Sequence, residues 1–292
     1  MIPYFPPEGG TYRLSLGLKV LAEEDWIEID GGYEDELAQK RRLVDEQRDT
    51  VFQALPGSET AQGEFIDFLS AHLTRHHPNR FEAAPGGICN LTTGETVRPD
   101  PGAPLLAAAR LIQEDMTVLQ PSPEGFRLIA GLVCFPTRWN LSSKLGKPLA
   151  AIHDPVPGYA EKLERPMDRL FAGLTADRLL WRQNYSLLDD PELFQPGGHF
   201  KDSAGTGLTA AKIGGKLWFR VERQTLRRLP DSETVVFTVR IHQALLQDVV
   251  NTPRRAADLL AATRALPEPM KRYKSLPGFE AALTEWLEEK AE

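Results

Sequence analysis

The side chain with the widest chemical range in this chain is His153, set in the run FPTRWNLSSKLGKPLAAIHDPVPGY from Phe135 to Tyr159. A neutral imidazole between Ile152 and Asp154 suits a metal ligand, a proton carrier or an oriented acid/base, because histidine changes protonation near neutral pH. Pro155 and Pro157 each fix φ and push the residue before them toward extended backbone, so the chain just after His153 is nearly predetermined. Such rigidity holds an axial ligand or a catalytic group in place. An isolated histidine in this setting more often closes a hydrogen bond at the end of a short helix.

Two further clusters are embedded in apolar runs: Trp181, Arg182, Asn184, Tyr185 and Ser186, and then Arg220, Glu222, Arg223 and Gln224. Charges inside a sheet are costly unless paired, so these strands either face water or line a polar pocket. An Arg182–Glu222 cross-strand ion pair is the simplest solvated arrangement. Two such strands beside the His153 run favor a pocket.

Several chemistries are excluded. No GxxxxGK[ST], strand-linked GxGxxG, HExxH or GxSxG occurs, and the stretch GTGLTAAKIGGK from Gly205 lacks phosphate-loop spacing and reads as a hairpin. Cys89 and Cys134 are the only cysteines, so neither a cysteine-ligated zinc site nor an intrachain iron–sulfur cluster can be built. His76 and His77 are adjacent, point to different sides of a helix, and read as partners of its C-terminal dipole.

The positioning elements follow from periodicity. Residues 34–55 and 60–76 carry apolar residues at helical spacing, ended by Pro56-Gly57 and before Pro78. The Gly- and Pro-rich stretch 85–104 reads as loop, and 103–115 as a short helix. Residues 126–135, 178–188, 216–226 and 234–245 are β-branched, aromatic and partly alternating, which predicts strands. Between the first two lie the His153 run and a helix from about Tyr159 to Leu174, kinked at Pro166. Helices return at 253–265 and 276–290. Helices, then an antiparallel sheet with a helical excursion, then helices define an α+β fold.

With 292 residues, 41% of them apolar, the chain has material for a substantial core. A net charge of −7 argues against a nucleic-acid groove. The start MIPYFPPEGG lacks a cationic stretch followed by an apolar run, and no segment approaches the ~20 apolar residues of a membrane span, so a cytoplasmic, membrane-free setting is expected.

Together, FPTRW followed by KxGxPLxxIHxPVPGY, WRxNYSLxDxPxLF from Trp181 to Phe194, and RVERQTLRRLP from Arg220 to Pro230 with FTVR at Phe237 resemble the heme-dependent oxidative N-demethylase alpha-subunit family. The resemblance runs over roughly residues 1–260. It implies a PAS-like antiparallel sheet flanked by N- and C-terminal helices, in a single heme-binding domain spanning 1–292. Within it, 1–120 is expected to be mainly helical, 121–250 the sheet core and 251–292 helical. It implies heme b, dioxygen, a small secondary amine such as dimethylamine, and partner subunits carrying flavin and an iron–sulfur center.

On that basis His153 is the expected iron ligand, with His199 and His242 as alternatives. Arg138, Lys144, Arg182, Arg220 and Arg223 are expected to meet the heme propionates. Glu222, Tyr185 and Asp189 are candidates for proton supply. Glu222 with Trp181 or Trp218 would receive a protonated amine. A non-catalytic heme sensor or carrier on the same fold is the alternative function, since fold alone does not decide activity.

Overall fold

Alternation along the β-branched runs produces long antiparallel strands. In a computed structural model, which describes residues 2–198, 200 and 205–292, ten strands form. They are β1 (Lys19–Val20), β2 (Phe52–Ala54), β3 (Phe81–Ala84), β4 (Gly87–Asn90), β5 (Glu95–Val97), β6 (Asp115–Ser122), β7 (Gly125–Leu132), β8 (Leu179–Leu188), β9 (Trp218–Arg228) and β10 (Val235–Leu245). Seven of them build one antiparallel sheet in the order β1-β8-β9-β10-β6-β7-β2, and β3-β4-β5 make a small side sheet. The fold is α+β.

The period of two sorts β9 onto two faces. Val221, Arg223, Thr225 and Arg227 point toward the helices Tyr33–Glu46 and Glu59–His76 at one end, and toward Pro253–Arg264 and Glu280–Ala291 at the other. Trp26, Leu37 and Phe65 center the first apolar cluster on that face; Phe219, Val221, Leu259 and Leu283 center the second. On the opposite face, Leu226 and Phe237 share a third cluster with Leu149 and Phe171 of the excursion between β7 and β8.

The structure departs from the periodicity at several places. The helix expected over 34–55 ends at Glu46, and after a short turn Phe52–Ala54 joins the sheet edge as β2, in keeping with β-branched Val51 and aromatic Phe52. The expected loop at 85–104 contains β4 and β5, turned by Pro85-Gly86 with Gly86 at φ 70°. A Cβ on Gly87 would lie 2.1 Å from the Val97 carbonyl oxygen, so these glycines serve strand approach as well as turning. Residues 104–110 form a 3₁₀ helix, and 115–122 the unforeseen strand β6. The stretch at Gly205 holds a short helix, Ala210–Ile213, in place of a hairpin. The helix expected from about Tyr159 to Leu174 is interrupted at Leu163, giving Tyr159–Lys162 and Glu164–Gly173, and Pro166 falls in the first turn of the second, where its missing N–H costs nothing. Among the described residues no helix is long and apolar enough to cross a membrane.

One buried contact fixes where the excursion leaves the sheet. Asp115, at the start of β6, accepts from the Cys134 N–H (2.9 Å) and the Phe135 N–H (2.7 Å), and Lys40 lies 3.3 Å from its Oδ1. Lys40 also donates to the Glu114 and Ile112 carbonyls. Breaking one partner of such a buried pair strands the other's charge. Asp115→Ala is expected to lower unfolding free energy by about 3–5 kcal/mol in urea titration; a loss under ~1 kcal/mol would remove the contact from this role.

Candidate functional site

Between the excursion and the sheet lies a cavity of about 740 Å³. Leu226, Phe237 and Val239 line it from the strands, and Leu149, Ile152, Met167 and Phe171 from the excursion. Its polar wall is set by strand register: β8 and β9 pair Arg182 with Gln224 and Asn184 with Glu222, which turns all four toward the cavity. The expected Arg182–Glu222 pair is thus a diagonal. Glu222 Oε2 instead accepts from Gln224 (2.9 Å) and Asn184 (3.5 Å).

His153 ends the short helix Leu149–His153 and lines the same cavity. Its Nδ1 stands 2.8 Å from the Leu149 carbonyl oxygen. A carbonyl only accepts, so Nδ1 carries the proton and Nε2 keeps the lone pair. The ring stacks on Tyr159 with centroids 4.6 Å apart and planes within 9°. Gly158, at φ 79°, turns the chain so that Tyr159 reaches it. Burial pushes the His153 pKa down to about 4, aided by the charges of Lys144 and Arg182 and opposed by the Leu149 hydrogen bond. The imidazole is neutral at physiological pH.

The cavity is crowded with cations. Lys144 lies 4.7 Å over the Trp139 ring, and burial lowers its pKa to about 8 against the pull of Glu222. Lys274, which no motif announced, is lowered to about 8 for the same reasons. It donates to the Tyr185 carbonyl (2.5 Å), on the stretch of β8 beyond its pairing with β1. Arg182 is likewise lowered by burial, and its Nε is buried with no hydrogen-bond partner among the described residues. Arg138 sits at φ 57°, clamped by Asp189 and Gln195, while its NH1 is buried and has no hydrogen-bond partner among the described residues. Among the described residues, Glu222 stands against these; the other lining carboxylate, Asp115, belongs to Lys40. Half-buried, under-neutralized cations around an apolar cavity, with Arg138 fully buried among them, suit an anionic amphiphile.

Other expected residues fall elsewhere. Arg220 does not reach the cavity, because its guanidinium is occupied by the Phe135 (2.7 Å), Leu193 (3.0 Å) and Glu192 (3.2 Å) carbonyls. Arg223 points to the opposite face, donating to Trp26 and Asp25 carbonyls and pairing with Glu28 at 3.2 Å. Trp181 packs beside Arg223 and Tyr4, and neither it nor Trp218 lines the cavity. His242 is also on that far face, 2.9 Å from Glu28. His199 lies outside the described residues. Tyr185 borders the cavity while stacking on Phe219 at 5.3 Å, and Asp189 acts on Arg138 from behind.

The sequence matches the family described as haem-dependent oxidative N-demethylase, alpha subunit-like, over residues 17–284. The chain belongs to that family. The match takes in the His153 run and all the strands that line the cavity, and the description makes the family's chemistry heme-dependent oxidative N-demethylation in a multi-subunit protein. The cavity fits the group that the family requires. A neutral imidazole with a fixed tautomer, apolar walls and surplus cations match an iron porphyrin with two carboxylates.

The lysines give this site a measurable pH signature. An unfolded lysine titrates near 10.4, so between about pH 8 and pH 10 the unfolded chain holds protons that the folded chain has lost. Stability therefore rises with pH in that window. Above about pH 10 the trend reverses, because burial raises Tyr185 and Tyr273 over their unfolded values. For the heme-free protein, urea unfolding should gain about 1–2 kcal/mol per lysine from pH 8 to pH 10. Lys144→Met and Lys274→Met should each flatten the rise; a wild-type profile that stays level would contradict the burial of these charges.

Proposed function

We propose that the cavity would hold heme b, with His153 as the residue that would bind its iron, and that the chain is the oxygenase subunit of a cytoplasmic amine N-demethylase. The observation that carries this proposal is a neutral imidazole of fixed tautomer in one apolar cavity with under-neutralized cations that are half-buried or buried. Heme, when bound, supplies the iron at which dioxygen is activated. His153 is held for that role by Leu149 and Tyr159. Arg138, Lys144, Arg182 and Lys274 are the groups available to the propionates, and Asp189 positions Arg138.

Glu222 is the carboxylate for the substrate. Its two amide donors both use Oε2, which leaves Oε1 for the N–H of a protonated secondary amine such as dimethylamine. The same oxygen can take or return a proton, with the Tyr185 hydroxyl as a second donor whose pKa burial keeps high. Met116, Phe171 and Phe237 help exclude water. An N-methylated amine, dioxygen, two electrons and two protons then give the demethylated amine, formaldehyde and water.

Electrons must come from partners with flavin and an iron–sulfur center. Cys89 and Cys134 are both free, and burial pushes the Cys134 thiol up to about 12, which makes it a poor metal ligand. The PAS-like description is supported by strand order. Numbered from β6, the five central strands run second-first-fifth-fourth-third, with the helical excursion between second and third lying over one face.

Protein expressed with heme supplied should show a Soret band, and His153→Ala should abolish or shift it; an unchanged spectrum would place the ligand elsewhere. With a surrogate electron donor, methylated amines should release formaldehyde. Glu222→Gln should raise KM for the amine roughly 10- to 100-fold, the cost of a lost charge-assisted hydrogen bond of about 1.5–3 kcal/mol. Full reduction without formaldehyde from any candidate amine would instead make the chain a heme sensor or carrier.

A further inference from the structure

On the sheet face away from the cavity, two imidazoles and a carboxylate converge. His72 and His76 lie four residues apart on the helix Glu59–His76 and so share one side of it, with ring centroids 4.7 Å apart. Glu23, from the 3₁₀ turn Glu23–Asp25, brings Oε1 to 3.5 Å from His72 Nδ1. One ligand atom from each of the three residues lies within 4.8 Å of the others. Ligands about 2.0–2.2 Å from a tetrahedral ion stand roughly 3.3–3.6 Å apart, so small side-chain rotations close the remaining distance.

A second observation points to a ligand. The His72 side chain is 1% exposed, yet among the described residues neither of its ring nitrogens has a hydrogen-bond partner. Such a group is rare in a folded interior and costly unless something meets it. The carboxylate is already aimed. Arg227 takes Glu23 Oε2 and is itself fixed between the Trp26 and Phe68 rings, 4.7 Å from each, which leaves Oε1 toward the histidines. Metal sites use outer groups in this way to orient their ligands. Glu23 is 44% exposed, so an ion and a water have access from solvent.

We propose that Glu23, His72 and His76 bind one divalent transition-metal ion, with Zn²⁺ the best match to two imidazoles and a carboxylate, and water as the fourth ligand. The ion ties the turn at Glu23 to the end of the long helix. The residues immediately after Glu23 are the ones whose carbonyls hold Arg223, so the clamp secures the N-terminal segment against the sheet. The site is separate from the cavity and stands whether or not heme binds there.

The test uses the full chain purified with heme supplied, so that cavity groups are covered, then stripped with a chelator and dialyzed against micromolar ZnCl₂. Wild type should retain one zinc per chain by plasma mass spectrometry and melt at higher temperature with zinc than without. His76→Gln and Glu23→Gln, both at partly exposed positions, should lower zinc affinity by at least about 10- to 100-fold, the range already found for outer-shell changes. Both should also lose the zinc-dependent melting shift. Mg²⁺ and Ca²⁺, which prefer all-oxygen sites, should not compete. X-ray absorption at the zinc edge of wild type should report two imidazoles, whatever the variants do. Absence of zinc uptake, unchanged uptake in both variants, or a sulfur-ligated spectrum would overturn the site.

Discussion

The buried carboxylate of Asp115 governs how the two halves of this molecule meet. It receives two consecutive backbone N–H groups, at Cys134 and Phe135, where β7 ends and the excursion begins. Those donors would otherwise be unpaired at the exit of a central strand, and the carboxylate would be an uncompensated charge without Lys40. Arg220 then donates to the Phe135 carbonyl, so both polar groups of the Phe135 backbone are held. Everything the cavity needs from the excursion, including Arg138, Lys144 and His153, hangs from that corner. A one-residue slip there would move all three.

The cap also has to come close. A Cβ at Gly131 would lie 2.8 Å from the Leu141 side chain, so the β7 glycine lets the excursion lie directly on the sheet. The result is a cavity whose apolar walls are well built while its charges are not. Lys144, Lys274 and Arg182 are each shifted toward the neutral form by burial, with Glu222 as their shared counter-charge. A protein optimized for stability alone would pair or remove such groups. Cations held in this way need not be gathered when an anionic group binds beside them.

Much of this was legible in the sequence, and the limits have physical causes. The four long strands were announced by β-branched and aromatic runs, and the long helices by apolar residues at a spacing of 3.6. β6 was hidden because it is buried along most of its length and offers no alternation, and the β3–β5 sheet because its glycines look like loop residues. His153 stood out through its rigid apolar setting. Lys274 did not, because a single lysine near the C-terminal helices carries no pattern; only the fold brings it beside Tyr185. The histidines at the end of Glu59–His76 were considered as the adjacent pair His76-His77. The spacing that places two imidazoles together is His72 with His76, one helical turn apart.

The run RVERQTLRRLP shows why family motifs overstate a site. Read as a block, its arginines and its glutamate all look functional. Strand alternation divides them: Glu222 and Gln224 face the cavity, while Arg223 and Arg227 face the helical layer and hold Glu28 and Glu23. Arg220 lies on the cavity side in register but is consumed by three carbonyls of the surrounding loop. A guanidinium with five donors can lock irregular backbone as well as it can bind a carboxylate, and partner geometry alone separates the two uses. The same strand therefore anchors the scaffold on one face and presents the Glu222 carboxylate to the cavity on the other. Substitutions at successive positions of β9 should separate along that division, with the odd-numbered arginines governing stability and Glu222 governing chemistry.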